Sequence, residues 1–370
     1  MSFVTLSFLL KFEKKIMNKT ALVVGVTGIT GSSIAKSLID KGWRTYGLSR
    51  NPNLDLKGLI PISADLLEKE SLKSTLKTIR PTHVLISTWM RRDTEAENIK
   101  VNGAMIKNLL EALSPQKSIE HVALVTGLKH YLGPFDDYAK GESPQTPFRE
   151  DHPRLDSPNF YYAQEDEVYA AAEKDGFTWS IHRPHTIIGK AVGNQMNMGT
   201  TLAVYASICK EKNQPFTWPG SKAQWEGLTD MTDANVLAEH LIWASTTEDA
   251  KNEAFNITNG DIFRWKWMWK QIADYFELEI VGYTGEIQPL EKQLEHEEEV
   301  WNAIVSKYNL IESNLSRLAS PWHTDLDLSR PIEIMTDMSK SRKLGFKIYK
   351  PTIESFIELF DELRTDKLIP

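Results

Sequence analysis

The chain has a single cysteine, Cys209. That excludes an intrachain disulfide framework and fits a reducing, cytosolic compartment. Cys209 closes the apolar stretch Leu202 to Ile208 and reads as a small buried hydrophobe rather than a nucleophile. Long hydrophobic runs are also missing, so no membrane-crossing helix is expected. The apolar run Phe3 to Leu10 lacks a basic lead and a small-residue cleavage site, and makes a poor signal peptide. Met17-Asn-Lys-Thr20 leads straight into the first apolar segment, so residues 1–17 are expected to be a disordered N-terminal extension. An excess of positive charge is absent too: 43 Lys and Arg stand against 50 Asp and Glu, a net charge of −7. Phosphate neutralisation needs a basic patch, so no nucleic-acid partner is expected. The nine histidines contain no His-x-x-x-His, and His182 and His185 bracket a proline with no third ligand nearby. No metal is expected. Internal repeats and low-complexity tracts are absent. These exclusions leave a small-molecule partner.

What the chain does have is a rhythm. Apolar strand-like segments at Thr20–Val24, Trp43–Leu48, Leu59–Ser63, Val84–Ser87, His121–Thr126 and Thr178–His182 alternate with helical patterns at Gly31–Lys41, Glu68–Ile79, Thr94–Leu113 and 157–175. The alternation predicts an α/β fold, a doubly wound parallel Rossmann sheet with right-handed crossovers, over residues 18–190. Beyond residue 190 the alternation fades. Helical patterns at Thr201–Lys210, Asp233–Ser245, Lys266–Phe276 and Ile287–Tyr308, with short strands at Phe216–Trp218 and Phe255–Ile257, predict a smaller, mostly helical substrate subdomain over 191–370. Some of its segments are expected to return to the Rossmann core. Eleven tryptophans are read mainly as core filling. The long connection 127–157 suggests a functional loop.

Gly25-Val-Thr27-Gly28-Ile29-Thr-Gly31 lies between the first strand and the first helix. Glycines there permit a tight turn and close backbone approach, and the helix N-terminus then faces a pyrophosphate. The second strand ends Gly47-Leu-Ser49-Arg50, with no acid to hold ribose hydroxyls. Arg50 suits a 2′-phosphate instead, which favours NADPH over NADH. Asp65-Leu66 after the third strand suits an adenine edge, and Ser87-Thr88-Trp89 after the fourth should run beside the cofactor. Thr126, Pro184 and Ile187, at later strand ends, complete the expected cofactor site.

Two segments read as halves of a chemical site, Thr126-Gly-Leu-Lys129-His-Tyr131 and Asn159-Phe-Tyr161-Tyr162. Lys129 and Tyr161 stand 32 residues apart. An ammonium near a phenol of pKa ~10 stabilises its phenolate and orients hydrogen bonds to a substrate oxygen. The Tyr-x-x-x-Lys of short-chain dehydrogenases is missing: Glu165 follows Tyr161 by four residues, and Asp166 follows Tyr162. Lys129 is the candidate replacement, and both Lys129 and Tyr161 are expected to touch the cofactor as well.

In these blocks, together with Glu95-x-Glu-Asn98, Pro153-Arg-Leu155, His182-Arg-Pro184 and Asn252-Glu-Ala-Phe-Asn256, the chain resembles the progesterone 5β-reductase/iridoid synthase-like enzymes, an atypical group of extended short-chain dehydrogenases/reductases. The resemblance runs from Ala21 to the C-terminus. It implies NADPH-dependent reduction of an activated carbon–carbon double bond, with Lys129 and Tyr161 as catalytic residues at the carbonyl oxygen, and a homodimer. One departure stands out: the family commonly reads Arg-Pro-Gly where this chain reads Arg183-Pro-His185. Tyr131, Phe135, Met196, Asn197, Met198 and Tyr205 are weaker candidates for the substrate chamber. The alternatives are a carbonyl reductase or epimerase of the extended class, or a non-catalytic NADPH sensor.

Overall fold

The computed structural model describes residues 19–134, 145–194 and 196–370. The expected N-terminal extension and Phe135 lie outside the described residues.

Seven strands form one parallel sheet: β1 Thr20–Val24, β2 Arg44–Ser49, β3 Leu59–Ser63, β4 His83–Ile86, β5 His121–Val125, β6 Thr178–Pro184 and a late strand, β10, Glu253–Ile257. Their order is β10-β6-β5-β4-β1-β2-β3. Each is short, and the central strands β1 (TALVV), β4 (HVLI) and β5 (HVALV) are largely apolar and buried, as strands covered on both faces must be. Side chains alternate strictly. Ala21 and Val23 pack with Ile34, Ala35, Leu38 and Val236, while Leu22 and Val24 pack with Leu72, Ile106 and Leu109. One face is therefore covered by α1 (Ile29–Asp40) and α8 (Ala234–Thr246). The other is covered by α2 (Lys69–Leu76), α3 (Glu95–Leu113) and α5 (Phe160–Asp175). The winding reverses between β1 and β4, and their carboxyl ends open a crevice there, where ligands of such sheets bind.

Between these elements come α4 (Lys129–Leu132), α6 (Met198–Glu211), α7 (Lys222–Glu226), and two-residue strands β7 (Ile187–Ile188), β8 (Phe216–Thr217), β9 (Thr232–Asp233) and β11 (Ile280–Val281). The later helices are α9 (Trp265–Phe276), α10 (Leu290–Gln293), α11 (Glu298–Tyr308), α12 (Leu315–Leu318), α13 (Pro321–Leu328), α14 (Ser339–Lys343) and α15 (Thr352–Thr365). A separate core gathers α6, α9 and α15 around Trp218, Trp265, Trp269 and Trp301. Phe216 stacks on Trp269 with centroids 4.0 Å apart, and the Trp269 Nε1–H donates to the Phe216 carbonyl at 3.0 Å.

Two details differ from the sequence reading. The helical pattern Ile287–Tyr308 is broken into α10 and α11. His296 takes a left-handed φ of 67° between them, and the Asp325 carboxylate accepts the Leu290 and Glu291 amides at 2.8 and 3.0 Å, anchoring the first piece. The short strand at residues 253–257 pairs with β6 as the edge of the main sheet.

Candidate active site

The crevice is a cleft of about 1300 Å³. Its floor begins at the glycine turn. Gly25 has φ +86°, and a Cβ there would lie 2.8 Å from the Thr88 Cβ. A Cβ on Gly31 would lie 2.1 Å from the Gly25 carbonyl oxygen. Glycine at 25 thus serves both a left-handed turn and close approach to the chain leaving β4, and glycine at 31 lets α1 press onto the turn. Gly31 acts from behind; Gly25, Thr27, Gly28 and Ile29 line the cleft itself. The N-terminus of α1 opens onto it, a ready site for a phosphate.

Ser49, Arg50, Asp65, Leu66, Ser87, Thr88, Trp89, Thr126, Pro184 and Ile187 line the same cleft. Each sits at the carboxyl end of a main-sheet strand or within three residues of it. Ser63 Oγ donates to the Arg50 carbonyl at 2.9 Å, fixing the backbone that carries the guanidinium. Asp65 Oδ1 accepts the Leu67 amide at 2.9 Å, a local turn that presents Leu66. Thr126 ties β5 to β6 through its amide, which donates to the His182 carbonyl at 2.8 Å. Among the described residues, the cleft walls carry six Lys and Arg against three Asp. Although the chain is acidic overall, the cleft favours an anionic ligand.

Lys129 and Tyr161 both line this cleft. Lys129 opens α4 and is buried. Tyr161 lies in the first turn of α5, its phenol packed over Gly127, where a Cβ would come within 3.3 Å of the hydroxyl. Asn159 is the N-cap of α5: its Oδ1 accepts the Tyr161 amide at 3.0 Å and its Nδ2 donates to the Lys129 carbonyl at 2.8 Å. The tyrosine pair divides its labour. Tyr162 turns inward, donates to the His130 carbonyl at 2.8 Å and accepts the Leu155 amide at 3.0 Å. Glu165, at the position of the usual lysine, faces the interior, where Arg154 bonds it at 2.7 Å and Arg183 stands 3.9 Å away. Burial raises its carboxyl above the ordinary range against the pull of both guanidiniums. A lysine there would meet two cations instead of the cleft.

Phe160 underlies the site. Its ring stacks on Trp89 at 4.8 Å, meets the Tyr161 ring at 4.3 Å and lies 4.7 Å from the Lys129 ammonium. The segment after Trp89 is held by α3: Asn102 bonds both the amide and the carbonyl of Met90 at 2.7 and 2.8 Å, and Asn98 accepts the Arg92 amide at 2.7 Å.

Of the residues expected along the substrate chamber, Met196 lines the cleft. Tyr131, Asn197, Met198 and Tyr205 are not among its lining residues. The Tyr131 hydroxyl donates to Asn256 at 2.7 Å and its ring stacks on Phe148; burial pushes its phenol up to about 12. Asn197 caps α6, accepting the Thr200 amide at 3.2 Å. Met198 borders a separate void of about 10 Å³ behind His185. The Tyr205 oxygen accepts the Thr217 amide at 3.1 Å, and its one O–H bonds Gln293. All four spend their polar atoms or bulk on packing.

Residues that sequence reading did not single out complete the walls: Met90 and Arg91 after β4, Gly127, and Trp322, His323, Asp327 and Arg330 from α13 and the turn after it. The Arg91 guanidinium sits 4.0 Å over the Trp322 ring. His185 joins the far wall to the floor. Its Nε2 lies 2.8 Å from Arg330 Nη1, and its Nδ1 lies 3.0 Å from Asp230 Oδ1. A guanidinium only donates, so Nε2 accepts and Nδ1–H points at Asp230. Arg330 also bonds Asp327, which accepts from Thr186 at 2.6 Å. Burial opposes ionisation of Asp327, but Arg330, His323, Thr186 and His185 together hold its carboxyl below the ordinary range. No local pattern flags the α13 residues.

The fold and cleft define a class, the Rossmann folds of the extended short-chain type. The UDP-glucose 4-epimerase of Thermotoga maritima shares the fold, with a TM-score of 0.66 at 14% identity over 94% of this chain and 99% of that one. Within this class the chain belongs to the family described as PRISE-like Rossmann-fold domains, whose profile matches residues 55–370. It is 40% identical over 362 residues to an (S)-8-oxocitronellyl enol synthase of Nepeta cataria, covering 95% of this chain and 93% of that one. It is also 40% identical over 363 residues to a 3-oxo-Δ4,5-steroid 5β-reductase of Arabidopsis thaliana, with the same coverages. Among the described residues no helix is long and apolar enough to cross a membrane.

Proposed function

We propose that this chain is an NADPH-dependent reductase of activated carbon–carbon double bonds, acting on small enones or enals. The observation that carries the reading is that Lys129 and Tyr161 line the same cleft as the glycine turn and Arg50. The turn at Gly25 and the N-terminus of α1 suit a pyrophosphate, and Arg50 suits a 2′-phosphate. A reduced nicotinamide, when bound, supplies the hydride that adds to the β-carbon.

The residues of the chain do the rest. Conjugate addition builds negative charge on the carbonyl oxygen. Tyr161 donates a hydrogen bond to that oxygen, and the Lys129 ammonium stabilises the charge electrostatically. Both are held in advance by Asn159, so little reorganisation accompanies the reaction. Trp89, Met90, Leu128 and Met196 offer the apolar surface that a hydrocarbon skeleton needs and keep water from the reacting carbon. The names of the two relatives, one an oxo-enol synthase and the other a reductase of 3-oxo-Δ4,5-steroids, describe chemistry at an oxygen conjugated with carbon. In this reading the protein is a cytosolic homodimer.

The test is NADPH oxidation with 2-cyclohexen-1-one by the parent, Lys129→Ala and Tyr161→Phe, with the product identified. A saturated ketone, lost by roughly 10²–10³-fold in each variant, supports the reading. An allylic alcohol moves it to carbonyl reduction. Tight NADPH binding without turnover on a panel of enones moves it to a sensor.

A further inference from the structure

Besides Asn159 and Phe160, a third side chain outside the cleft lining touches both halves of the chemical site. Glu95 begins α3, where the capping box of Thr94 and Glu97 fixes the first turn: Thr94 Oγ1 accepts the Glu97 amide at 3.2 Å and Glu97 accepts the Thr94 amide at 3.2 Å. From there the Glu95 carboxylate points across to α4 and α5. Its Oε1 accepts the amide of Phe160 at 2.8 Å, one residue before Tyr161. Its Oε2 lies 3.9 Å from the Lys129 ammonium and accepts from Asn98 Nδ2 at 3.1 Å. The Lys129 and Glu95 side chains are only 5% and 16% exposed, so solvent screens this pair weakly.

We propose that Glu95 is a positioning residue for the reduction, coupling the charge of Lys129 to the placement of Tyr161. The inference rests on the enone-reductase reading above. A carboxylate within about 4–6 Å favours the charged form of a buried amine, whereas burial alone disfavours it. At 3.9 Å the Glu95 carboxylate thus favours a positive charge on Lys129, the form needed where negative charge develops. The same carboxylate holds the Phe160 amide, which fixes where Tyr161 enters the cleft. The Phe160 ring between them lies 4.7 Å from the ammonium and adds a cation–π contact.

Glu95 faces Lys129 from α3. From α5 come the Phe160 ring and, at the cleft floor, the Tyr161 phenol. On its own turn lies His130, held neutral by burial at about 3 and directed to the His152 carbonyl at 3.3 Å. Among these groups Glu95 supplies a negative charge.

The experiment compares the parent with Glu95→Gln, which is isosteric and keeps an oxygen for the Phe160 amide but removes the charge. Steady-state reduction of 2-cyclohexen-1-one is followed from neutral to alkaline pH, with NADPH affinity by fluorescence titration and melting temperature alongside. The expected result is a kcat lower by about tenfold, short of the roughly 10²–10³ lost with a whole donor. The alkaline limb of the kcat profile moves down by about one pH unit, while NADPH affinity stays at the parental value and the melting temperature falls by no more than a few degrees, as loss of about 1.4 kcal/mol implies. In a Lys129→Ala background, Glu95→Gln adds no further loss, because the group it acts through is gone. An unchanged kcat and alkaline limb would make Glu95 a backbone peg alone and overturn the proposal. So would an equal loss in the Lys129→Ala background, or a loss matched by weakened NADPH binding and melting. A parent that turns over no enone overturns the functional reading itself, and this inference with it.

Discussion

Asn159 holds Lys129 and Tyr161 in one grip, its amide nitrogen on the Lys129 carbonyl and its amide oxygen on the Tyr161 backbone N–H. The two groups come from different elements, and this side chain ties their backbones together. Asn159→Ala removes a helix cap and one buried hydrogen bond, so it should cost roughly 1–2 kcal/mol of stability. It should also lower kcat by about tenfold or more through misplacement. Urea unfolding and enone kinetics check both. Parental kcat in a destabilised variant would show that the grip serves folding only.

Gly127 bears on the same pair. A Cβ there lies 3.3 Å from the Tyr161 hydroxyl and 3.5 Å from the Pro184 carbonyl oxygen. Tyr161 must give by a few tenths of an ångström to accommodate a methyl. Gly127→Ala should therefore depress kcat by roughly tenfold while NADPH affinity stays near parental. A variant with full activity would mean that the phenol moves aside without penalty.

Cofactor choice should hang on Arg50. Arg50→Ala is expected to raise the KM for NADPH by about tenfold or more, through loss of one charge-assisted contact, and to leave the KM for NADH nearly unchanged. Equal effects on both cofactors would detach Arg50 from the 2′-phosphate.

Acid should unfold this protein through its interior histidines. His121, Ser180, His182 and His240 form a buried chain: Ser180 Oγ lies 2.9 Å from His121 Nε2 and 2.8 Å from His182 Nε2, and the Nδ1 atoms of His182 and His240 lie 2.8 Å apart. His83 lies beside them, 6.4 Å from the His121 ring. Burial lowers all four imidazoles, His83 to about 4, His240 to about 3, and His121 and His182 well below the ordinary value. Folded values below the unfolded ~6.5 mean that stability is full above that pH. As pH falls, the unfolded chain binds protons that the folded chain refuses, at about 1.4 kcal/mol per histidine per pH unit. Asp325, raised to about 6 by burial, and Glu150 and Glu165, also raised by burial, work in the opposite sense, but His130 and His323 join the four histidines, so six lowered imidazoles stand against three raised carboxyls. The melting temperature should drop steeply from pH ~6.5 towards ~4.5. A flat profile over that window would sink the prediction.

Much of the fold was legible because its signals are local. Ala21 to Val24 read as a buried strand from apolar content alone, and Gly25-x-x-Gly28-x-x-Gly31 marked the turn that only glycine can make. Strand ends were therefore locatable, and the residues just past them proved to share one cleft. The tyrosines were not separable in this way. Tyr131, Tyr162 and Tyr205 carry the same side chain as Tyr161, and a phenol suits a buried hydrogen bond as well as a pocket wall.

The sequence by itself determined the layering and the glycine turn, because periodicity and backbone conformation are written over a few neighbouring residues. Only the tertiary structure decided that Trp322, His323, Asp327 and Arg330 close the far wall. It also decided that Glu165 faces Arg154 and Arg183 rather than the cleft, and that Glu95 reaches Lys129 and Phe160 together. These contacts join residues tens to well over a hundred positions apart. Their partners are chosen by the packing of α3 and α5 against the sheet and of α13 against α6 and α10, and packing of that range leaves no periodic mark in the chain.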